Sequence, residues 1–163
     1  MGIESCRFDP RQRRLTDFRL PDLEGRPVSF QGLDADYILL DFWGSWCRPC
    51  LTSIPSLVDA QKKYGKKKLL VVGVACEKGT FDQRAAKAAA AAEKLGVNYP
   101  ILVSSAEDYS AVQEAFSIRT FPTLILIDRQ GRIVWREQGA SQVTLARLDR
   151  VLESSARSEI ARR

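Results

Sequence analysis

A chain of 163 residues, 45% hydrophobic and 28% charged, is a single domain of ordinary size with enough apolar side chains for a sizeable core. Its 25 Lys and Arg against 20 Asp and Glu leave a formal charge of +5, too mild to argue for nucleic acid, and the absence of His excludes Ser-His hydrolases, Cys-His proteases and His-ligated metal sites. Four cysteines are too few for a disulfide scaffold, and no apolar run approaches the ~20 residues of a membrane helix.

Met1 to Arg14 is rich in charge and reads as a flexible N-terminal segment without the apolar stretch of a secretory signal. Cys6 falls in it as an exposed, incidental thiol. One domain is expected over residues 15–157, with a frayed basic tail from 158 to 163. From Phe18 to Phe30, short alternating pieces around Glu24-Gly25 predict a small hairpin covering an edge of the sheet. Tyr37 to Trp43 is a run of strand formers, apolar except for Asp41, and so a buried central strand. A carboxylate there is unfavourable unless paired or protonated. The plain alternative is an Asp at a strand end facing solvent.

Directly after that strand, Trp46-Cys47-Arg48-Pro49-Cys50 opens a helical pattern. Side chains at i and i+3 on a helix have Cβ atoms about 5–6 Å apart, and a disulfide needs about 3.5–4.5 Å, a gap that a non-helical first residue closes. The pair can therefore open and close with little backbone movement. Cys47 sits where unpaired N–H groups and the helix macrodipole favour negative charge, with the cation of Arg48 beside it. It is the expected nucleophile. Cys50, one turn in and facing the core, would resolve the mixed disulfide, and Pro49 suits a first turn whose N–H would be unpaired anyway. A zinc site built from Cys6, Cys47, Cys50 and Cys76 competes with this reading, but neither a second Cys-x-x-Cys nor any His accompanies the pair.

The helix that follows carries Leu51, Ile54, Leu57 and Val58, runs to about Tyr64 and should kink at Pro55. Lys62, Lys63, Lys66, Lys67 and Lys68 lie where cations match the helix dipole. Leu69 to Ala75 is a second buried strand, parallel to the first because a helix separates them. Cys76 closes it, either as a buried small hydrophobe or as a third redox thiol, and Glu77 follows. Asp82 to Leu95 is an alanine-rich helix with Gly96 as its C-cap. A strand at Ile101-Leu102-Val103 and a helix around Tyr109 to Phe116 come next. Pro122 immediately precedes a strand, Thr123 to Ile127. Asp128-Arg129-Gln130-Gly131 turns into Ile133-Val134-Trp135, and Ser141 caps a final helix with Leu145, Leu148, Val151 and Leu152 on one face.

Two of these stretches resemble the thioredoxin superfamily: Leu39-Leu40-Asp41-Phe42-Trp43-Gly44-Ser45-Trp46-Cys47-Arg48-Pro49-Cys50 its active-site strand and turn, and Arg119-Thr120-Phe121-Pro122-Thr123 its cis-proline loop. Phe18 to Phe30, Asn98-Tyr99-Pro100-Ile101-Leu102 and Leu126 to Val134 narrow the similarity to TlpA/ResA-like thiol-disulfide oxidoreductases, over about Leu15 to Leu152. The resemblance implies an α/β thioredoxin fold: a central mixed β-sheet flanked by helices, with an N-terminal β-hairpin and a central helical insertion. It also implies a cis bond before Pro122, turning the Phe121 backbone toward the Cys47 sulfur, where an extended peptide can pair. Asp41 matches the buried aspartate that assists proton transfer to the second cysteine, so it is assigned as proton acceptor for Cys50. The lysine that partners it in thioredoxin has no counterpart here, since Gly73 and Val74 stand in that neighbourhood. Glu77 falls where the family often has an acidic residue. Trp46 and Trp43 would form an apolar rim and floor, Trp43 equally a plain core residue; Trp46, Arg48, Pro49 and Phe121 are the expected substrate contacts.

The expected function is protein thiol-disulfide oxidoreductase, most simply a reductase of protein disulfides, needing no cofactor and no metal beyond the Cys47-Cys50 pair. Arg48 should make it more oxidising than a Gly-Pro spacer would. A peroxide-reducing enzyme of the same fold is the alternative, although no Pro-x-x-x-Thr-x-x-Cys surrounds Cys47. A metal-binding or structural module using Cys47, Cys50 and Cys76 is another. Expected partners are substrate protein disulfides and a thioredoxin-like or membrane thiol electron donor, with no nucleic acid and no membrane span in a monomeric chain. The resemblance implies an extracytoplasmic, periplasmic location if the chain is trimmed from a longer one. The alternative is cytoplasmic, since no signal peptide is visible.

Overall fold

The computed structural model of the chain describes residues 4–105, 110–139 and 141–161. Three strands open it as an antiparallel sheet: β1 (Ser5–Asp9), β2 (Arg14–Pro21) and β3 (Pro27–Ser29). The presence of β1 corrects the expectation of a flexible start. Asp9 accepts the backbone N–H groups of Arg11 and Gln12, which tightens the turn into β2, and Cys6 and Phe8 then pack against the core. Five residues dense in charge carry too little alternation to announce a strand by themselves.

A short 3-10 turn, Phe30–Gly32, leads to β4 (Tyr37–Trp43), buried at every position. Then come α1 (Arg48–Lys68), β5 (Leu69–Glu77), α2 (Phe81–Lys94), β6 (Ile101–Ser105), α3 (Ala111–Ala115), β7 (Thr123–Asp128), β8 (Ile133–Gln138) and α4 (Gln142–Ile160). The second sheet has the order β6-β5-β4-β7-β8, with β4, β5 and β6 parallel and β7 and β8 antiparallel. This is the mixed central sheet that the resemblance implied. Because β4 and β5 are covered on both faces, apolar residues occupy nearly every position and not alternate ones.

Period-two alternation divides the core in two. Leu39, Trp43, Val71 and Ala75 face α1, α2 and α4, where Ile54, Leu57, Ala88, Leu148 and Leu152 meet them. Ile38, Leu40, Phe42, Val72 and Val74 face the other way, toward Leu15, Phe18 and Leu20 of β2 and toward Val112 and Phe116 of α3 and its C-terminal cap. Burying one such side chain contributes about 1.5–3 kcal/mol. The N-terminal hairpin therefore covers a face of the central sheet, not its edge. Strand β2 crosses that face: Arg14 bridges to Arg132 beside β8, and Asp22 just past β2 bridges to Leu102 of β6. Gly131 makes the crossing possible, since its φ is +82° and a Cβ there would lie 2.0 Å from the Leu15 carbonyl oxygen.

The helix ends follow their capping signals. Thr80 and Gln83 form a capping box on α2, Ser141 and Thr144 another on α4, and Gly96 after α2 has φ +64°. Ser110 caps α3, so this helix starts after Tyr109, which lies outside the described residues. In α1 the dihedrals stay helical through Pro55, and the break expected there comes at Gly65, with φ 70° and ψ 156°. Glycine reaches that conformation freely. Helix α4 continues to Ile160 across half of the expected frayed tail; Arg162 and Arg163 lie outside the described residues.

Candidate active site

Cys47 is the N-cap of α1, with extended backbone (φ −98°, ψ 98°), and its sulfur accepts the Cys50 N–H at 3.3 Å. The two residues form a disulfide across Cα atoms 5.3 Å apart. Cys50 is fully enclosed, whereas 5% of Cys47 reaches the surface beside exposed Arg48 and Pro49. No acidic residue stands in the first turn of α1. The sulfur of Cys47 thus accepts a backbone N–H at the positive end of a helix dipole, with no acidic residue in the first turn of the helix to offset it.

Three contacts hold the loop that leads from β4 to this cysteine. The buried carboxylate of Glu77, at the end of β5, accepts both the backbone N–H and the hydroxyl of Ser45. The indole N–H of Trp46 donates to the Cys76 carbonyl at 2.9 Å. The ring of Trp46 also meets Phe121 edge-on, with centroids 5.2 Å apart. Gly44 permits this packing, because a Cβ there would stand 2.4 Å from the indole nitrogen and 3.0 Å from the Cys76 oxygen. Sequence reading overlooked Gly44 and Ser45; the available signal was a glycine between a buried strand and the cysteine motif. Glu77, foreseen only as an accessory acid, is the anchor of the loop. Glu77→Gln puts an amide N–H₂ against the donors of Ser45 and is expected to lower stability by about 1–3 kcal/mol. Urea unfolding of the oxidised protein measures this, and a rise in KM for a disulfide substrate should accompany it.

The Phe121–Pro122 bond is cis. Its flanks are fixed by hydrogen bonds from Thr123 Oγ1 to the Thr120 carbonyl and from the Gly139 N–H to the Pro122 carbonyl, both 2.7 Å. Phe121 is half-buried against both core clusters and presents its ring to Trp46, which is itself 54% exposed.

Asp41 shares its side of β4 with Leu39 and Trp43, the side on which Cys50 is buried. It is fully enclosed, and neither carboxylate oxygen has a hydrogen-bond partner among the described residues. Burial pushes its carboxyl group up to about 7. Gly73 lies opposite in register, and a Cβ there would come within 2.9 Å of Trp43 Nε1 and 3.4 Å of Tyr99 Cε2. Trp43 and Tyr99 thus close over the place that thioredoxin gives to a lysine, and each carries a buried polar atom without a partner among the described residues. Trp43 is a core residue, not an exposed floor. Tyr99 was read as a family signature only; its proximity to Asp41, whose negative charge pushes the phenol further up beyond the effect of burial, depends on pairing between β5 and β6.

Cys76 lies in the cluster on the opposite face, its sulfur 3.6 Å from the Val74 carbonyl, and burial pushes its thiol up. That placement fits the small hydrophobe. Cys6 is half-buried in the same cluster, and burial together with the nearby Asp17 pushes its thiol up to about 12. Its expected exposure is corrected accordingly. The four-cysteine metal reading fails on geometry, since Cys47 and Cys50 bond to each other on one face while Cys6 and Cys76 pack on the other.

Comparison with known proteins gives a consistent picture. A family model described as Redoxin matches residues 11–152. The chain is 30% identical over 117 residues to the thioredoxin-like protein YneN of Bacillus subtilis, covering 72% of this chain and 65% of that protein. It is 30% identical over 119 residues to the thiol-disulfide oxidoreductase ResA of Geobacillus thermodenitrificans, covering 72% and 63%. The chain therefore spans just under two thirds of the length of these relatives. In fold it is similar to a Chlorobium tepidum crystal structure assigned as the thiol:disulfide interchange protein DsbE, with a TM-score of 0.75 at 24% identity over 91% of this chain and 98% of that one.

Proposed function

We propose, from the premise that this chain belongs to the Redoxin family, that it is a protein thiol-disulfide oxidoreductase acting as a reductase of protein disulfides. The observation that carries the reading is the Cys47–Cys50 disulfide at the N-terminus of α1, with an edge of Cys47 reaching solvent beside an exposed aromatic rim and Cys50 enclosed behind it. A dithiol donor first reduces the pair. The Cys47 thiolate then attacks one sulfur of a substrate disulfide, a mixed disulfide forms, and the other substrate sulfur leaves as a thiolate that takes a proton from water. Cys50 gives its proton to the Asp41 carboxylate and attacks the Cys47 sulfur. The substrate's second sulfur departs, and two electrons have passed from the protein to the substrate. No cofactor enters these steps.

Asp41 suits the acceptor role because burial sets its carboxyl near neutrality, so it exchanges a proton readily at physiological pH. Trp46 and Phe121 supply the apolar contact for an extended segment of the substrate, and Arg48 and Pro49 line its approach. The partners are protein disulfides and a thioredoxin-like or membrane thiol donor, and the proposed setting is extracytoplasmic, as the resemblance implies for reductases that serve cytochrome c maturation. No helix among the described residues is long and apolar enough to cross a membrane.

Equilibration of the Cys47–Cys50 pair with a dithiol buffer, read by thiol alkylation and mass, tests the direction. Thioredoxin near −270 mV and DsbA near −120 mV bracket the outcomes, and a value toward the thioredoxin end is expected. A potential well above the glutathione range would make the protein an oxidant or isomerase. Arg48→Gly should move the potential to more negative values, because it removes a cation that favours the Cys47 thiolate and hence the reduced state. No shift in that variant would remove Arg48 from the account.

A further inference from the structure

Resting on the reading of Cys47–Cys50 as a reductase of protein disulfides, we propose that the groove beside the disulfide selects acidic polypeptides: Trp46 and Phe121 take an apolar side chain next to the substrate cysteine, and Lys78 and Lys87 take a carboxylate beyond it. The groove has a volume of about 520 Å³ and opens between the loop before Cys47 and helix α2. Trp46 and Phe121 form one wall, and Lys78 and Lys87 stand in the lining with them. Trp46 is one of two large apolar side chains left exposed among the described residues, so the outer face of this wall is open to a partner.

Among the described residues the charge in the lining is lopsided. Its acidic member, Glu77, is almost wholly buried, and both of its oxygens are taken by Ser45. The two ammonium groups sit on exposed side chains. Lys87 reaches back along α2 to donate to the Lys78 carbonyl at 2.9 Å, which holds the Lys87 ammonium against the Lys78 backbone and leaves two of its three N–H donors free. Elsewhere Arg26, Lys63, Lys67, Arg129, Arg132 and Arg147 pair with a carboxylate, while other described cations, Arg48 and Lys94 among them, do not. Among the described residues, Lys78 and Lys87 have no such ion pair in the structure. Two unpaired cations beside an open aromatic wall complement a segment that carries an acidic and an apolar side chain near its cysteine. At the rim of a groove such complementarity acts on encounter and register, within the Debye length of about 8 Å at physiological salt.

The test uses two peptide disulfides identical except for Glu or Gln two residues from the cysteine. For the wild-type protein, kcat/KM at low salt should be about fivefold or more higher for the Glu peptide, and the ratio should fall toward one in 0.5 M salt. Lys78→Gln combined with Lys87→Gln should bring the Glu peptide down to the Gln peptide. Lys78→Glu combined with Lys87→Glu should reverse the order, favouring a third peptide with Lys at that place. Separately, forms of the same peptides with serine for cysteine are titrated into the oxidised protein, followed by tryptophan fluorescence, and their Kd values should rank alike. Equal rates and equal Kd values for the wild type, or a Glu preference that survives charge reversal, would overturn the proposal. Charge-selective binding without reduction of any of the peptide disulfides supports the groove and overturns the reductase reading.

Discussion

Cys47→Ser is expected to abolish disulfide reduction, by at least ~10³-fold, while leaving the fold intact. The attacking group must be a thiolate. The helix N-terminus that stabilises a sulfur anion cannot bring a serine hydroxyl near ionisation at neutral pH. The substitution keeps the N-cap, because serine is a strong capping residue and the Cys47 sulfur now accepts the Cys50 N–H in the same way. Lost activity would therefore report chemistry and not unfolding. Cys50→Ser should behave differently: Cys47 still attacks, and the mixed disulfide accumulates because no second thiol resolves it. Non-reducing electrophoresis and mass of the adduct measure this. A Cys47→Ser protein that reduces insulin at the wild-type rate would sink the proposed function.

Asp41→Asn should make the protein more stable and slower at once. The folded carboxyl titrates at about 7 against an ordinary 3.8, a gap of about three units created by burial. A group whose folded pKa is raised adds stability that is fully present below the unfolded value and is lost as pH climbs through the folded one. At 1.36 kcal/mol per unit the loss approaches ~4 kcal/mol once the pH exceeds about 8, where a buried charge without a partner must be carried. Asparagine is neutral throughout. The variant should thus match the wild type near pH 4 and exceed it by about 2–4 kcal/mol at pH 8, as urea unfolding of both oxidised proteins would measure. Turnover at pH 7 to 8 should fall about tenfold or more, since Cys50 loses its proton acceptor. A stability difference independent of pH would mean that folding does not shift the Asp41 carboxyl from its ordinary value.

The chemistry-bearing strand and turn were legible because they are local. A run of strand formers, a cysteine pair at helical spacing and a proline in the first turn each act over a few residues, and together they specify strand and helix start. The parallel pairing of β4 with β5, the hairpin into β8, the alanine-rich body of α2 and the serine-signalled start of α4 were readable for the same reason, whereas the Thr80 cap of α2 went unread. Pro55 shows the limit of a local rule, because α1 absorbed it and broke instead at Gly65.

What the sequence by itself determined is the cysteine pair at a helix start and the strand before it, since propensity, capping and spacing are properties of neighbouring residues; the mixed sheet came from the family resemblance, and the polarity from Cys47 to Cys50 belongs to the proposal. Tertiary structure alone decided which side chains surround that pair. Glu77 reaches Ser45 across 32 positions, Trp46 reaches the carbonyl of Cys76 across 30, and Tyr99 joins Asp41 only because β6 pairs with β5. The same pairing parity put Cys76 on the far face, where a thiol one residue from the loop's anchor cannot meet the disulfide. Such contacts depend on strand register, and register is settled by burying two apolar faces at once, a condition imposed by the whole chain and by no segment of it.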